Sequence, residues 1–213
     1  MPDTKPSAFP SLTLPSAATD QYIVIPSGGT ASKITLAGLQ QSLGAGYRNG
    51  STATVSAGYA VDTYLAGSAV TVPAGAWKVG TIYQCGFDMV KTAAGTAAFT
   101  ITIRIGTLGT TGDTSVYTIP WAVGTAAIDT GWFEVYIAFR TVGAGATIAA
   151  VGTCAHHLAA TGLISTGASG NGIIAQGVGG SFSSTTATIL GLSVNGGASF
   201  SGTNTTVQSL VLL

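Results

Sequence analysis

Apolar residues in this chain alternate with small polar ones, and that period of two limits the fold more than any other feature. It is plainest in Phe99-Thr100-Ile101-Thr102-Ile103-Arg104-Ile105 and in Phe133-Glu134-Val135-Tyr136-Ile137-Ala138-Phe139-Arg140. Such segments put every second side chain on one apolar face of a strand. Similar runs separated by glycine-containing turns predict strands near residues 68–73, 79–90, 97–106, 114–122, 131–142, 146–157, 173–182, 187–194 and 204–212. Eight or nine strands of this length favour a closed barrel or a two-sheet antiparallel fold. The joining segments vary in length, as Greek-key crossings require, so an all-β jelly-roll sandwich is the expected architecture. No fixed repeat is visible, which argues against a propeller or solenoid.

The core must be reconciled with an unusual surface. Of 213 residues, 46% are hydrophobic and only 7% charged, against roughly 25% charged in an ordinary soluble domain. Serine, threonine and 31 glycines supply the polar surface and the turns. A mean hydropathy of +0.50 points to surface hidden against other copies, hence an oligomer. Glycine, serine and threonine interrupt every apolar stretch before the roughly 18 residues a spanning helix needs. An outer-membrane barrel would have a more polar lumen and clearer aromatic girdles, so no membrane insertion is expected.

Seven basic and seven acidic residues cancel and do not cluster, which disfavours binding to nucleic acid. The amino terminus lacks a basic stretch followed by an apolar one and reads as having no secretory signal, so synthesis in a cytoplasm is expected. Cys85 and Cys154 lie far apart in apolar segments and read as small buried hydrophobes, not a disulfide.

The chain divides by texture. Residues 1–47 form an amino-terminal arm: Pro2, Pro6, Pro10 and Pro15 preclude a helix and a central strand at its start. Short strands are predicted over Gln21–Pro26 and Ser32–Leu36, with a Ser27-Gly28-Gly29-Thr30 turn between. A short helix is predicted from Thr35, with Leu36, Leu39 and Leu43 on one side and Gly44 and Gly46 ending it. Residues 48–64, rich in Gly, Ser, Thr and Ala, read as a linker. Residues 65–213 form the β-sandwich head.

The stretch from Leu12 to Leu39 holds a Leu14-Pro15 start, Asp20, the apolar run Ile23-Val24-Ile25, a Gly28-Gly29-Thr30 turn and Lys33-Ile34-Thr35-Leu36. This resembles the amino-terminal segment of tailed-bacteriophage tail fibres and tailspikes. Pro26-Ser27 departs from that pattern, where an apolar residue or Gln is commoner. The resemblance implies a structural component of the virion, made in the host bacterial cytoplasm. It would be attached to tail, portal collar or capsid proteins through Leu14, Pro15, Asp20, Ile23, Val24, Ile25, Gly28, Gly29, Thr30, Ile34 and Leu36. It also implies a homotrimer whose head can meet a host surface glycan. The alternatives are a capsid head fibre or decoration protein that cements the shell, and a polysaccharide depolymerase, for which the chain is short.

Chemistry-bearing residues are few. The acids are Asp3, Asp20, Asp62, Asp88, Asp113, Asp129 and Glu134. Asp113 after Gly112 and Asp129 before Thr130-Gly131 fit turn roles. His156-His157 cannot chelate one ion from a single strand, because adjacent side chains point to opposite faces; on a three-fold axis one of them would meet its symmetry mates. Asp88, Lys91, Arg104, Glu134 and Arg140 fit cross-strand pairing. Ser169 lacks the strand-to-helix setting of a nucleophile elbow, and Gly177-Val178-Gly179-Gly180 lacks the ending of a phosphate loop. No catalytic residue, metal ligand or cofactor is expected, and the chain reads as no enzyme. Trp77, Trp121 and Trp132 are each a candidate for glycan contact or for the core.

Overall fold

A computed structural model of the chain describes residues 21–24, 32–35, 48–49, 54–55, 59–65, 67–92, 94–156, 161–164, 171–196 and 204–212. The described residues are all-β, with no helix among them. The chain divides into two compact units, Met1–Gly46 and Tyr47–Leu213.

In the first unit β1 (Gln21–Val24) pairs antiparallel with β2 (Ser32–Thr35), Tyr22 opposite Ile34 and Ile23 opposite Lys33. Both strands fall where apolar runs flank the glycine pair. The helix expected beyond Thr35 lies outside the described residues.

The second unit holds two antiparallel sheets. Its strands are β3 (Arg48–Asn49), β4 (Thr54–Val55), β5 (Thr63–Tyr64), β6 (Val70–Val72), β7 (Ile82–Lys91), β8 (Thr100–Gly106) and β9 (Thr114–Pro120). They continue as β10 (Asp129–Thr141), β11 (Ala144–His156), β12 (Asn171–Ser183), β13 (Thr188–Asn195) and β14 (Asn204–Leu212). One sheet runs β12-β11-β10-β7-β14-β3, with β4 also on β14; the other runs β5-β13-β8-β9, with β6 also on β13. Each of the nine strands predicted from alternation has a counterpart. The 48–64 segment contributes β3, β4 and β5, two residues apiece, too short for a period of two to register.

Alternation decides what each face sees. On β10 the odd positions from Asp129 to Phe139 are buried and the even ones only partly so. Phe87, Phe133, Val135, Ile137 and Phe139 thus turn inward against Ile101, Ile103, Leu190 and Leu192 of the other sheet, all buried. Aromatic rings knit the layers together. Phe133 stacks on Phe87 at 5.5 Å between centroids and meets Phe99 and Trp121 edge to face at 5.4 and 5.5 Å. Offset and edge-on pairs of this kind add about 0.5–1.5 kcal/mol each beyond the area they bury.

One end of the sandwich closes where β12 comes against β9. A Cβ at Gly179 would stand 2.9 Å from the Val116 carbonyl oxygen and 2.8 Å from Ile148 Cγ1, so only glycine admits this approach. Burial continues to the mouth of the core. Lys91 ends β7 facing inward, directly opposite Asp129 at the start of β10. Its ammonium donates to the Thr125 carbonyl and, at 2.6 Å, to that of Gly162. Asp129 accepts from Leu163 N at 2.9 Å and Thr130 N at 2.8 Å.

Candidate functional site

The even-numbered residues of β10 define the outer face of the larger sheet. Trp132, Glu134 and Tyr136 stand there in succession, each half-buried. Register sets their neighbours: Asp88, Gly86 and Gln84 on β7, and Ala155, Thr153 and Val151 on β11. The Trp132 ring leans across Gly86. A Cβ at that glycine would meet Trp132 Cζ2 at 2.5 Å, so the missing side chain is what lets the ring lie over the sheet.

Polar contacts fix the cluster. Trp132 Nε1 donates to Glu134 Oε1 at 3.2 Å, and Tyr136 Oη donates to Glu134 Oε2 at 2.8 Å. Gln84 Nε2 donates to Tyr136 Oη at 3.1 Å. The hydrogen bond to Glu134, then burial, raises the Tyr136 pKa above its ordinary value. Beside the ring, over the small β11 residues, lies an open pocket of about 290 Å³ lined by Trp132, Glu134, Thr153, Cys154 and Ala155. Its wall is aromatic and its rim carries a carboxylate and a hydroxyl. Such a surface can bind, through one ring face and a few directed hydrogen bonds.

No known protein family, curated protein or solved structure matches the chain.

The remaining chemistry-bearing residues are dispersed. Trp77 and Trp121 belong to the core at 2% and 4% exposure; Trp77 donates to Thr188 Oγ1 at 2.8 Å and stacks on Phe139. Of the three tryptophans, only Trp132 reaches the surface. Arg104 staples the smaller sheet: it pairs with Asp62, donates to Ser193 Oγ at 2.8 Å and reaches the carbonyls of Thr111 and Asp113. Asp113 accepts from Leu108 N and Gly109 N, the turn role its sequence setting predicted. Asp129 does more than that reading gave it, since it binds the distant Leu163 amide. Arg140 is exposed near the end of β10.

Cys85 and Cys154 are free and buried, as expected, and burial raises both thiol pKa values to about 12. Among the described residues no group of three or more His, Cys, Asp or Glu is placed to hold a metal ion. His156 ends β11; its side chain, His157 and Ser169 lie outside what is described. Of the attachment residues, Ile23 and Val24 lie on β1 and Ile34 on β2. Leu14, Pro15, Asp20, Ile25, Gly28, Gly29, Thr30 and Leu36 lie outside the described residues.

Sequence reasoning left the three tryptophans unsorted, although a usable signal was present. Phe133, Val135, Ile137 and Phe139 are the apolar series of β10, so Trp132 has the opposite parity and shares its face with Glu134 and Tyr136.

Proposed function

We propose that this chain is a non-enzymatic structural component of a bacteriophage virion, of the tail fibre or spike type. Its amino-terminal segment attaches to the particle and its sandwich forms an outward head. The observation that carries this reading is the Leu12–Leu39 pattern, and the antiparallel pairing of β1 with β2 at its two apolar runs is consistent with it.

The strand order supports a jelly roll. Taking β3 with β4 and β5 with β6, one sheet follows β3/β4-β14-β7-β10 and the other β5/β6-β13-β8-β9, with six crossings between sheets along the chain. The β11–β12 hairpin is an addition outside β10. A sandwich of this kind is stiff because its layers interlock, which suits a part whose work is mechanical.

The surface favours self-association, and the fibre resemblance selects a homotrimer. Val61, Val79, Leu108, Val123, Ile128 and Val178 are each more than half exposed, while charge is scarce. Burying such side chains against copies of the chain removes them from water.

Immunogold labelling of purified particles with antibody to this chain tests the reading. Label at regular positions on the tail supports a fibre or spike, and label spread over the shell supports the decoration alternative. Particles without label would refute a virion role.

A further inference from the structure

The pocket beside Trp132 carries a ligand class of its own. We propose that the outer face of β7, β10 and β11 binds an uncharged saccharide, one pyranose ring lying against the Trp132 indole and its hydroxyls meeting Glu134 and Thr153. The reading of the chain as a virion protein says only where that saccharide is met; the binding itself rests on the sheet face.

The first argument is orientation. The Trp132 ring is oriented by two contacts: Gly86 lies beneath its six-membered ring and Glu134 accepts from its indole N–H. A half-buried aromatic ring fixed in this way keeps its free surface in place before any ligand arrives, and the ordering cost of binding is thereby reduced. Sugars suit such a ring because one side of a pyranose is a row of C–H groups, while its rim is a set of hydroxyls.

The second argument is chemical. Glu134 is acceptor-only and can take hydroxyl protons in addition to its two internal donors; Thr153 both donates and accepts. Thr153 is the cross-strand partner of Glu134, and Ala155 that of Trp132, so these groups converge on one pocket. About 290 Å³ is at the small end for ligand sites, which suits one or two sugar rings rather than a long chain.

The third argument is charge. Asp88 stands directly opposite Trp132 and adds a second carboxylate to Glu134 on this face. The cation on the even-numbered face of β10 is Arg140, eight residues from Trp132 and six from Glu134, or about 20 Å from Glu134 at ordinary strand rise. A sialic or uronic acid would bring a third negative charge beside Glu134 and Asp88, and among the described side chains of β7, β10 and β11 no Lys or Arg shares that face nearer than Arg140. Neutral sugars are selected.

The test uses the full chain on an array of glucose-, galactose- and N-acetylglucosamine-terminated neutral oligosaccharides, beside sialylated and glucuronic-acid-terminated ones of equal length. Binding to at least one neutral series is expected, with tryptophan emission perturbed on saturation. Trp132→Ala should weaken that binding at least tenfold, Trp132→Phe should keep most of it, and Thr153→Val should weaken it several-fold. The thermal midpoint of each variant reports whether it folds, and the wild-type emission change serves if Trp132→Ala does not. Binding confined to the anionic series, no binding at all, or unchanged binding by a folded Trp132→Ala would overturn the proposal. Particle labelling is independent of all these outcomes, so a labelled particle carrying a non-binding head would separate failure of the site from failure of the virion role.

Discussion

Cys85 and Cys154 show how far single side chains are governed by where the sheet puts them. Both thiols face the interior, and burial holds their pKa at about 12, well above the ordinary 9.0. Only the thiolate is nucleophilic, so neither should react with a thiol reagent such as dithionitrobenzoate in the native protein at pH 8, and both should react once urea unfolds it. Rapid native labelling would contradict this packing. The same burial has a consequence for stability. A group whose folded pKa is raised contributes stability that is present below its unfolded pKa and lost as pH climbs through the folded value. The two thiols act in that direction from pH 9 upward, and Tyr64, raised to about 12 mainly by burial, joins them above pH 10. Burial raises Tyr59 and Tyr83 as well. Lys91 runs the other way: burial lowers its pKa, with Asp129 partly opposing. Protonation of Lys91 is therefore a penalty on the folded state that eases as pH rises. Tyr136, raised by its hydrogen bond to Glu134 and by burial, makes a sixth. One group relaxing against six losing favours net loss, so the urea midpoint should fall between pH 8.5 and pH 11, and a constant or rising midpoint would contradict that balance.

Among elements, the junction of β7 with β10 gives the clearest energetic expectation. Lys91 ties the carbonyls of Thr125 and Gly162 to the mouth of the core, and Asp129 receives the Leu163 amide beside it. Removing a buried charged donor leaves both carbonyls unpaired, and each lost partner of this kind costs about 1–3 kcal/mol. Lys91→Met, which keeps the length, should cost about 3 kcal/mol by urea denaturation and speed amide exchange around residues 121–128 and 161–164 first. A loss below about 1 kcal/mol would show that the two loops are held by packing alone. Neither role was legible in the sequence. Lys91 follows Val90 at a strand end, where a lysine ordinarily reaches water, and the carbonyls that hold it come from loops 34 and 71 residues later. By contrast, the strands themselves were legible, because a period of two survives in the sequence whatever it packs against. β8, β10 and β14 begin and end within about three residues of the predicted spans. The site was half legible: Trp132, Glu134 and Tyr136 share a parity, but nothing local reveals that Gly86 would stand beneath the ring.

For the whole molecule, the surface sets the expectations. Six apolar side chains more than half exposed among the described residues and a chain with 7% charged residues leave association to apolar and hydroxyl contacts. Sedimentation equilibrium should therefore give a trimer at micromolar concentration, with little change between 0.05 and 0.5 M salt, where surface charges become screened. A monomer would remove the case for association, and a stable dimer would remove the choice of three, which comes from the fibre resemblance. The chain divides at Gly46 into two compact units, and the proposed function gives attachment to the first and display to the second. The most direct measurement is incorporation into particles when the chain is supplied in trans to a phage lacking it, comparing the full chain, a chain lacking residues 1–46, and full-length Trp132→Ala. The full chain and Trp132→Ala should both co-sediment with particles, whereas the shortened chain should remain soluble and folded but absent from them. Normal incorporation of the shortened chain, or absence of the full chain from particles, would contradict attachment through the amino-terminal segment.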